Sequence, residues 1–183
     1  MAHVMTHSGR LVSLTHPHAP DVTLEDIMHH LAKACRYGGA LPFGQHYSVA
    51  EHSVHGARLA IEYYDDALLA QAFLFHDAHE AYLTDVPTPV KSLIDGASHY
   101  EHAADAFDLI IQDKFGVSFD DDRVKRIDYH MLGVEWRRLM PTPDLYAELI
   151  DDSFPTVHLK CWDEESAYRQ FKYLSGVLGI LWQ

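Results

Sequence analysis

One segment constrains this chain more than any other. From Ala67 to His79 the residues read Ala-Leu-Leu-Ala-Gln-Ala-Phe-Leu-Phe-His-Asp-Ala-His, a helix capped by Asp66 and apolar nearly all round. A helix without a polar face has to sit at the centre, with other elements packed around it. Its far end carries His76 and Asp77. Burying such groups costs on the order of several kcal/mol unless they are paired or bind a metal. A divalent cation is one efficient partner. A satisfied core histidine beside a helix-end carboxylate is the plain alternative, and the dipeptide alone favours it.

Helical patterns dominate the rest. Thr23 caps a helix with Glu25 and Asp26 in its first turn, running to about Tyr37, where Gly38-Gly39 stops it. Ser48 caps the next, with Glu51 completing a capping box. That helix reaches about Tyr64 and lines up Val49, His52, Gly56, Leu59 and Tyr63 on one face. A short helix is predicted over Val90 to Ile94. A longer one runs from Tyr100 to Phe115, with Ala103, Phe107, Ile110 and Ile111 inward. Asp120 to Arg123 opens a further helix reaching Met140, where Pro141 and Pro143 end it. Thr142 to His158 reads as loop or short helix, and Glu164 to Leu181 as a closing helix. Before all of these, Val4 to Leu14 suits a small β-hairpin turning at Ser8-Gly9. The expectation is an all-α bundle, one domain over residues 1–183, with a small N-terminal hairpin.

Bulk properties exclude several classes. The formal net charge of −13 argues against a nucleic-acid duplex or an anionic membrane as partner, and any anionic ligand needs local cations. No apolar run approaches the ~20 residues of a membrane span. The N-terminus lacks the basic and apolar regions of a secretory signal, so a cytoplasmic protein is expected. Cys35 and Cys161 stand far apart, outside any C-x-x-C pair. No Ser or Cys stands in a convincing triad.

Two more residues bear on His76 and Asp77. His52 lies on the inward face of the preceding helix. Asp128 is flanked at helical spacing by Val124, Ile127, Met131 and Leu132. Two imidazoles and two carboxylates from three helices make a first shell that suits Mn, Fe, Co, Ni or Zn better than Ca.

His52…His76-Asp77…Asp128 resembles the H…HD…D pattern of the HD phosphohydrolase superfamily. The string from His76 through Asp85 and Pro87-Thr88-Pro89-Val90-Lys91 is similar to that of bacterial 5′-deoxynucleotidases, and equally to that of phage-type HD enzymes that include dATP triphosphohydrolases. Val49-Ala50-Glu51-His52-Ser53 and Cys35-Arg36-Tyr37-Gly38-Gly39 resemble two further motifs, and the likeness covers roughly Leu24 to Met140. It implies an HD-type helical bundle that hydrolyses phosphate from a small nucleotide. His52, His76, Asp77 and Asp128 would bind one divalent transition metal (Mn, Co, Zn, Fe or Ni), and a second ion such as Mg on the phosphates stays open.

By the same resemblance Glu80 would orient or deprotonate the attacking water, and Asp85 would position the water and the leaving group. A solvated helix-end carboxylate and an ordinary turn residue are the plain alternatives for these two. Arg36 and Lys91 would bind the phosphates, which meets the charge problem. Tyr37 would stack on a nucleobase, where relatives often have Trp. Pro89 would line the base or sugar pocket, or simply be a loop proline. Gly39 departs from the bulkier residue of one adenine-selective type. Glu135, two turns beyond Asp128, is expected to hydrogen-bond a ligand histidine or Arg36. His46, His55 and His79 receive no ligand role.

Two reactions share this site. Attack at the α-phosphorus of a deoxynucleoside triphosphate releases nucleoside and triphosphate, and the Arg-x-Gly-Gly and Tyr-Ser-Val-Ala-Glu-His strings lean that way. Loss of phosphate from a deoxynucleoside monophosphate is the alternative. A non-catalytic metal- and nucleotide-binding sensor is a third reading, and a homo-oligomer is expected from the resemblance.

Overall fold

The computed structural model describes residues 2–93 and 97–180. Ile94 and Leu181, where two predicted helices end, lie outside them. A hairpin comes first. β1 (His3–Met5) pairs antiparallel with β2 (Leu11–Ser13) in the register His3↔Ser13, Val4↔Val12, Met5↔Leu11. Its turn contains Gly9 at φ 81°, a backbone conformation that suits glycine. Val12 reaches into the core, fully buried.

Helices follow: α1 (Leu24–Lys33), α2 (Val49–Tyr64), α3 (Ala67–Phe75), the single-turn α4 (Glu80–Leu83) and α5 (Thr88–Lys91), α6 (Ala97–Phe115), α7 (Asp122–Leu139) and α8 (Glu164–Val177). The chain is thus mostly helical with a small N-terminal sheet. Among the described residues no helix is long and apolar enough to cross a membrane.

α3 is the central element. Leu69, Ala70, Ala72, Phe73, Leu74 and Phe75 are all buried, each large side chain stabilising the fold by roughly 1.5–3 kcal/mol. Phe75 packs against Phe115 of α6 and Phe171 of α8 at ring-centroid distances of 5.2 and 5.6 Å. One cluster of buried apolar side chains extends from Val12 to Ile180. The caps are made locally: Thr23 accepts from Asp26 N at 3.1 Å, Ser48 from Glu51 N at 3.1 Å, and Asp66 from Leu68 N and Leu69 N, both at 3.0 Å.

Five local expectations are corrected. α1 ends at Lys33, short of Tyr37, because Ala34 is extended and long-range pairing takes over. Val49 N donates to Ala34 O at 3.0 Å and Arg36 N to Tyr47 O at 2.9 Å. The central helix stops at Phe75 rather than His79; His76 to His79 form tight turns that lead into α4. Glu51 completes no capping box: its carboxylate accepts from the amides of Lys160, Cys161 and Trp162 at 2.8, 3.0 and 2.6 Å. Tyr63 lies partly in solvent and donates to Ser153 Oγ at 3.0 Å, and Ala104 rather than Ala103 is buried on α6. Smaller shifts affect α5, which begins at Thr88, and α6, which begins at Ala97.

Candidate metal centre

The approach of α2 to α3 builds the site. A Cβ on Gly56 would lie 2.0 Å from Phe73 Cε1, so only glycine lets the two helices meet there. His52 stands one turn before Gly56, and His76 three residues after Phe73. Both rings pack on Phe73, at 5.4 and 4.3 Å, and lie 5.4 Å from each other. Asp77 follows on the same turn, and α7 brings in Asp128.

Four donor atoms converge. His76 Nε2 lies 3.2 Å from Asp77 Oδ2 and 4.0 Å from Asp128 Oδ1. His52 Nε2 lies 3.3 Å from Asp128 Oδ1 and 3.9 Å from Asp77 Oδ2. The ligand atoms of His52, His76 and Asp77 all fall within 4.8 Å of one another, close enough to hold one metal ion.

The other nitrogen of each ring is engaged. His76 Nδ1 donates to Phe73 O at 2.6 Å, and His52 Nδ1 donates to Glu135 Oε1 at 2.6 Å. A carbonyl or carboxylate oxygen only accepts, so each neutral ring carries its proton on Nδ1 and turns the Nε2 lone pair inward. Both Nε2 atoms are buried without a hydrogen-bond partner. Orphaned acceptors facing two carboxylates fit a cation, and the mixed nitrogen–oxygen donor set fits a transition metal.

The two carboxylates draw positive charge to this spot, as a metal ion or, without one, as a second proton on His76. Burial alone would lower the pKa of His76, but the Asp77 and Asp128 carboxylates outweigh it and push it up to about 9. Burial opposes ionisation of Asp77, yet His76, His52 and Arg36 hold it well below the usual range.

Glu135 ties the site together. It is fully buried on α7 and accepts from His52 Nδ1, from the Tyr47 hydroxyl at 2.9 Å and from the Tyr37 hydroxyl at 2.6 Å. Arg36 Nε lies 3.2 Å from its Oε2, and Arg36 Nη1 lies 3.4 Å from Asp77 Oδ2. Burial pushes the carboxyl up; Arg36, His52 and Tyr37 outweigh it and bring it down to about 2.

A cleft of about 500 Å³ opens over this centre. Arg36, Asp77, Glu80, Asp85, Lys91 and Asp128 form its charged end, and Pro89 lines it from the loop around α5. Glu80 is buried with Oε2 unpartnered, and burial, then Asp77 and Asp85, push its carboxyl up to about 9. Burial also raises Asp85. Lys91 Nζ sits 4.7 Å from the Tyr100 ring centroid. A second opening, about 470 Å³, reaches His76 and Asp128 from the side of Asp120, Asp121 and Asp122.

All ten residues singled out in the sequence thus lie in or around one cleft. Tyr37 lines it with its hydroxyl already engaged by Glu135. His46, His55 and His79 face elsewhere, toward Ala32 O, Glu51 and Asp108. Sequence reasoning missed Tyr47 and the opposite wall, Tyr129, Leu132, Trp136, Met140 and Tyr146. The spacing Asp128, Leu132, Trp136 was the available signal, since i+4 steps share a helix face.

No family model matches the chain. It is 32% identical over 140 residues to the uncharacterised protein YfdR of Escherichia coli K12, covering 76% of this chain and 73% of that protein. It is 35% identical over 116 residues to the uncharacterised protein RCAP_rcc00048 of Rhodobacter capsulatus, covering 60% of this chain and 56% of the relative. By the extent of the first match, the chain belongs to the family that includes YfdR.

Proposed function

We propose that this chain is a divalent-metal-dependent phosphohydrolase of the HD type that acts on deoxynucleoside 5′-phosphates. The observation that carries the reading is the pair of buried, unpartnered Nε2 atoms of His52 and His76, facing Asp77 and Asp128. A transition metal held by these four residues supplies positive charge to a phosphoryl oxygen and lowers the pKa of water toward ~7. The chain's own groups do the rest. Glu80, at the cleft beside Asp77, would accept the proton of the attacking water once a bound cation offsets the Asp77 and Asp85 charges that hold its carboxyl up. Asp85 orients that water and the leaving oxygen. Arg36 and Lys91 hold the phosphate oxygens and stabilise the charge that builds on them. Glu135 keeps Arg36 and His52 in place. One P–O bond forms to the water oxygen, the bond to the leaving oxygen breaks, and the leaving oxygen takes up a proton.

The charge of the cleft favours the monoester. Arg36 and Lys91 stand against Asp77, Glu80, Asp85 and Asp128. With Glu80 protonated or ionised, a divalent ion brings the lining to no more than about one positive charge, which suits a monophosphate better than a far more highly charged triphosphate. The favoured reaction is therefore the 5′-deoxynucleotidase one. The test is phosphate release from dAMP beside triphosphate release from dATP, with Mn²⁺ or Co²⁺ added. Phosphate from dAMP, lost in Asp77→Ala and Glu80→Ala, supports the reading. Triphosphate from dATP would replace it with the other reaction. No turnover of either nucleotide would sink it in favour of a sensor.

A further inference from the structure

We propose that the uncharged end of the cleft is a stacking subsite for a heteroaromatic ring, and that Trp136 is the residue that sets the preference for substrates carrying one. The inference rests on the reading above that the metal end receives a phosphate ester. α7 lays out the cleft like a ruler. Asp128, Leu132 and Trp136 follow at i+4 and line it, with Met140 just past the helix end. Trp136 is eight residues from Asp128, about 12 Å along the helix. The phosphate end and the aromatic end are therefore set apart by one rigid element.

The indole is held in place before any ligand arrives. Trp136 Nε1 donates to Thr142 O at 2.8 Å. Tyr37 and Tyr146 meet it nearly perpendicularly, at interplanar angles of 80° and 90° and centroid distances of 5.7 and 5.0 Å. Tyr37 is itself fixed by Glu135, so it buttresses the indole. A pre-set aromatic wall loses little side-chain entropy on binding and attracts a flat π-system.

The chemistry of the wall also says how selective it is. Its side chains are Tyr37, Tyr129, Leu132, Trp136, Met140 and Tyr146, with no charged group among them. Among the described residues no carboxylate or amide stands there to read a base edge through paired hydrogen bonds. Stacking is tolerant of sequence because every base has a π-face. The subsite therefore selects for the presence of a base and discriminates weakly among bases.

The experiment compares kcat and KM for the four deoxynucleoside monophosphates and for 2-deoxyribose 5-phosphate, in the full chain and in Trp136→Leu and Trp136→Phe. The expected result is a fall of about tenfold in the ratio of kcat/KM for nucleotide over sugar phosphate in Trp136→Leu, carried mainly by KM, as a lost base–aromatic stack gives. Trp136→Phe keeps most of the ratio, and the four bases stay within a few-fold of one another. An unchanged ratio in Trp136→Leu overturns the proposal. A second measurement covers loss of the variant to misfolding: deoxyadenosine quenches the indole fluorescence of the unaltered protein, 2-deoxyribose does not, and Trp136→Phe abolishes the effect. Absence of that quenching also overturns it. Because a nucleoside has no phosphate, the quenching reads the subsite alone. Failure to hydrolyse any phosphate ester would instead count against the proposed function.

Discussion

Glu135→Gln tests the structural logic of the candidate metal centre most sharply. The substitution keeps shape and removes one charge. In the native site one carboxylate oxygen serves His52 Nδ1 and the Tyr47 hydroxyl, and the other serves the Tyr37 hydroxyl and faces Arg36 Nε at 3.2 Å. Glutamine has one oxygen for these two sets. With that oxygen on His52, the amide NH₂ opposes the Tyr37 hydroxyl and the Arg36 guanidinium, leaving a nearly buried cation with Asp77 alone. Removing one partner of a buried ion pair costs about 3–5 kcal/mol. A metal ligand that loses its orienting acceptor binds about 10- to 100-fold more weakly. The assays are denaturant unfolding after chelator treatment and Mn²⁺ or Co²⁺ affinity by competition. The double substitution Glu135→Gln with Arg36→Met is expected to recover part of the lost stability, because no unpaired cation remains. Stability and metal affinity in Glu135→Gln within twofold of the unaltered protein would refute the reasoning.

Three further outcomes are expected. Gly56→Ala puts a methyl 2.0 Å from Phe73 Cε1; overpacking costs about 1–3 kcal/mol, read as a lower Tm together with weaker metal binding, and an unchanged Tm would contradict the helix approach described here. Asp26 is fully buried and accepts from Ser8 N and Ser8 Oγ at 2.8 and 2.7 Å. Burial pushes this carboxyl up, but the bonds from Ser8 and Thr23 outweigh it and hold it below 3.8. A lowered folded pKa contributes stability above the unfolded value that is lost as pH falls through the folded one. Acidification below about pH 4 should therefore destabilise the unaltered protein more than Asp26→Asn; equal acid sensitivity would show the carboxylate contributes nothing. Glu51→Gln replaces by a donor one of the two oxygens that share three amides, Oε1 with two and Oε2 with one, so unfolding free energy should drop by about 2–3 kcal/mol, and a loss below about half a kcal/mol by denaturant titration would contradict the clamp.

Much of the fold could be read from short-range signals. The caps Thr23, Ser48 and Asp66 and the apolar run of α3 act within a turn of themselves. What escaped was set at long range. Nothing between Leu24 and Tyr37 breaks a helix, yet the chain leaves α1 after Lys33 because residues 34–36 pair with 47–49. Glu51 has the spacing of a capping partner, but amides more than a hundred residues away claim its carboxylate. In the site, His52, His76, Asp77 and Asp128 were legible because each ends or faces a patterned helix. Trp136 was legible only in part. Its place on the α7 face follows from spacing, but its partner Tyr146 arrives through a turn at φ 73° that no local pattern announces.

The clamp on Glu51 has a bearing on how this molecule comes into being. Its carboxylate stays without its amide donors until the chain has been made past Trp162, 111 residues later. His52, its immediate neighbour, sits on the same first turn of α2. During synthesis that turn waits for residues 160–162 before its carboxylate is bonded. The candidate metal centre therefore matures late, and a nascent chain halted before residue 160 holds His52 in an unlocked frame.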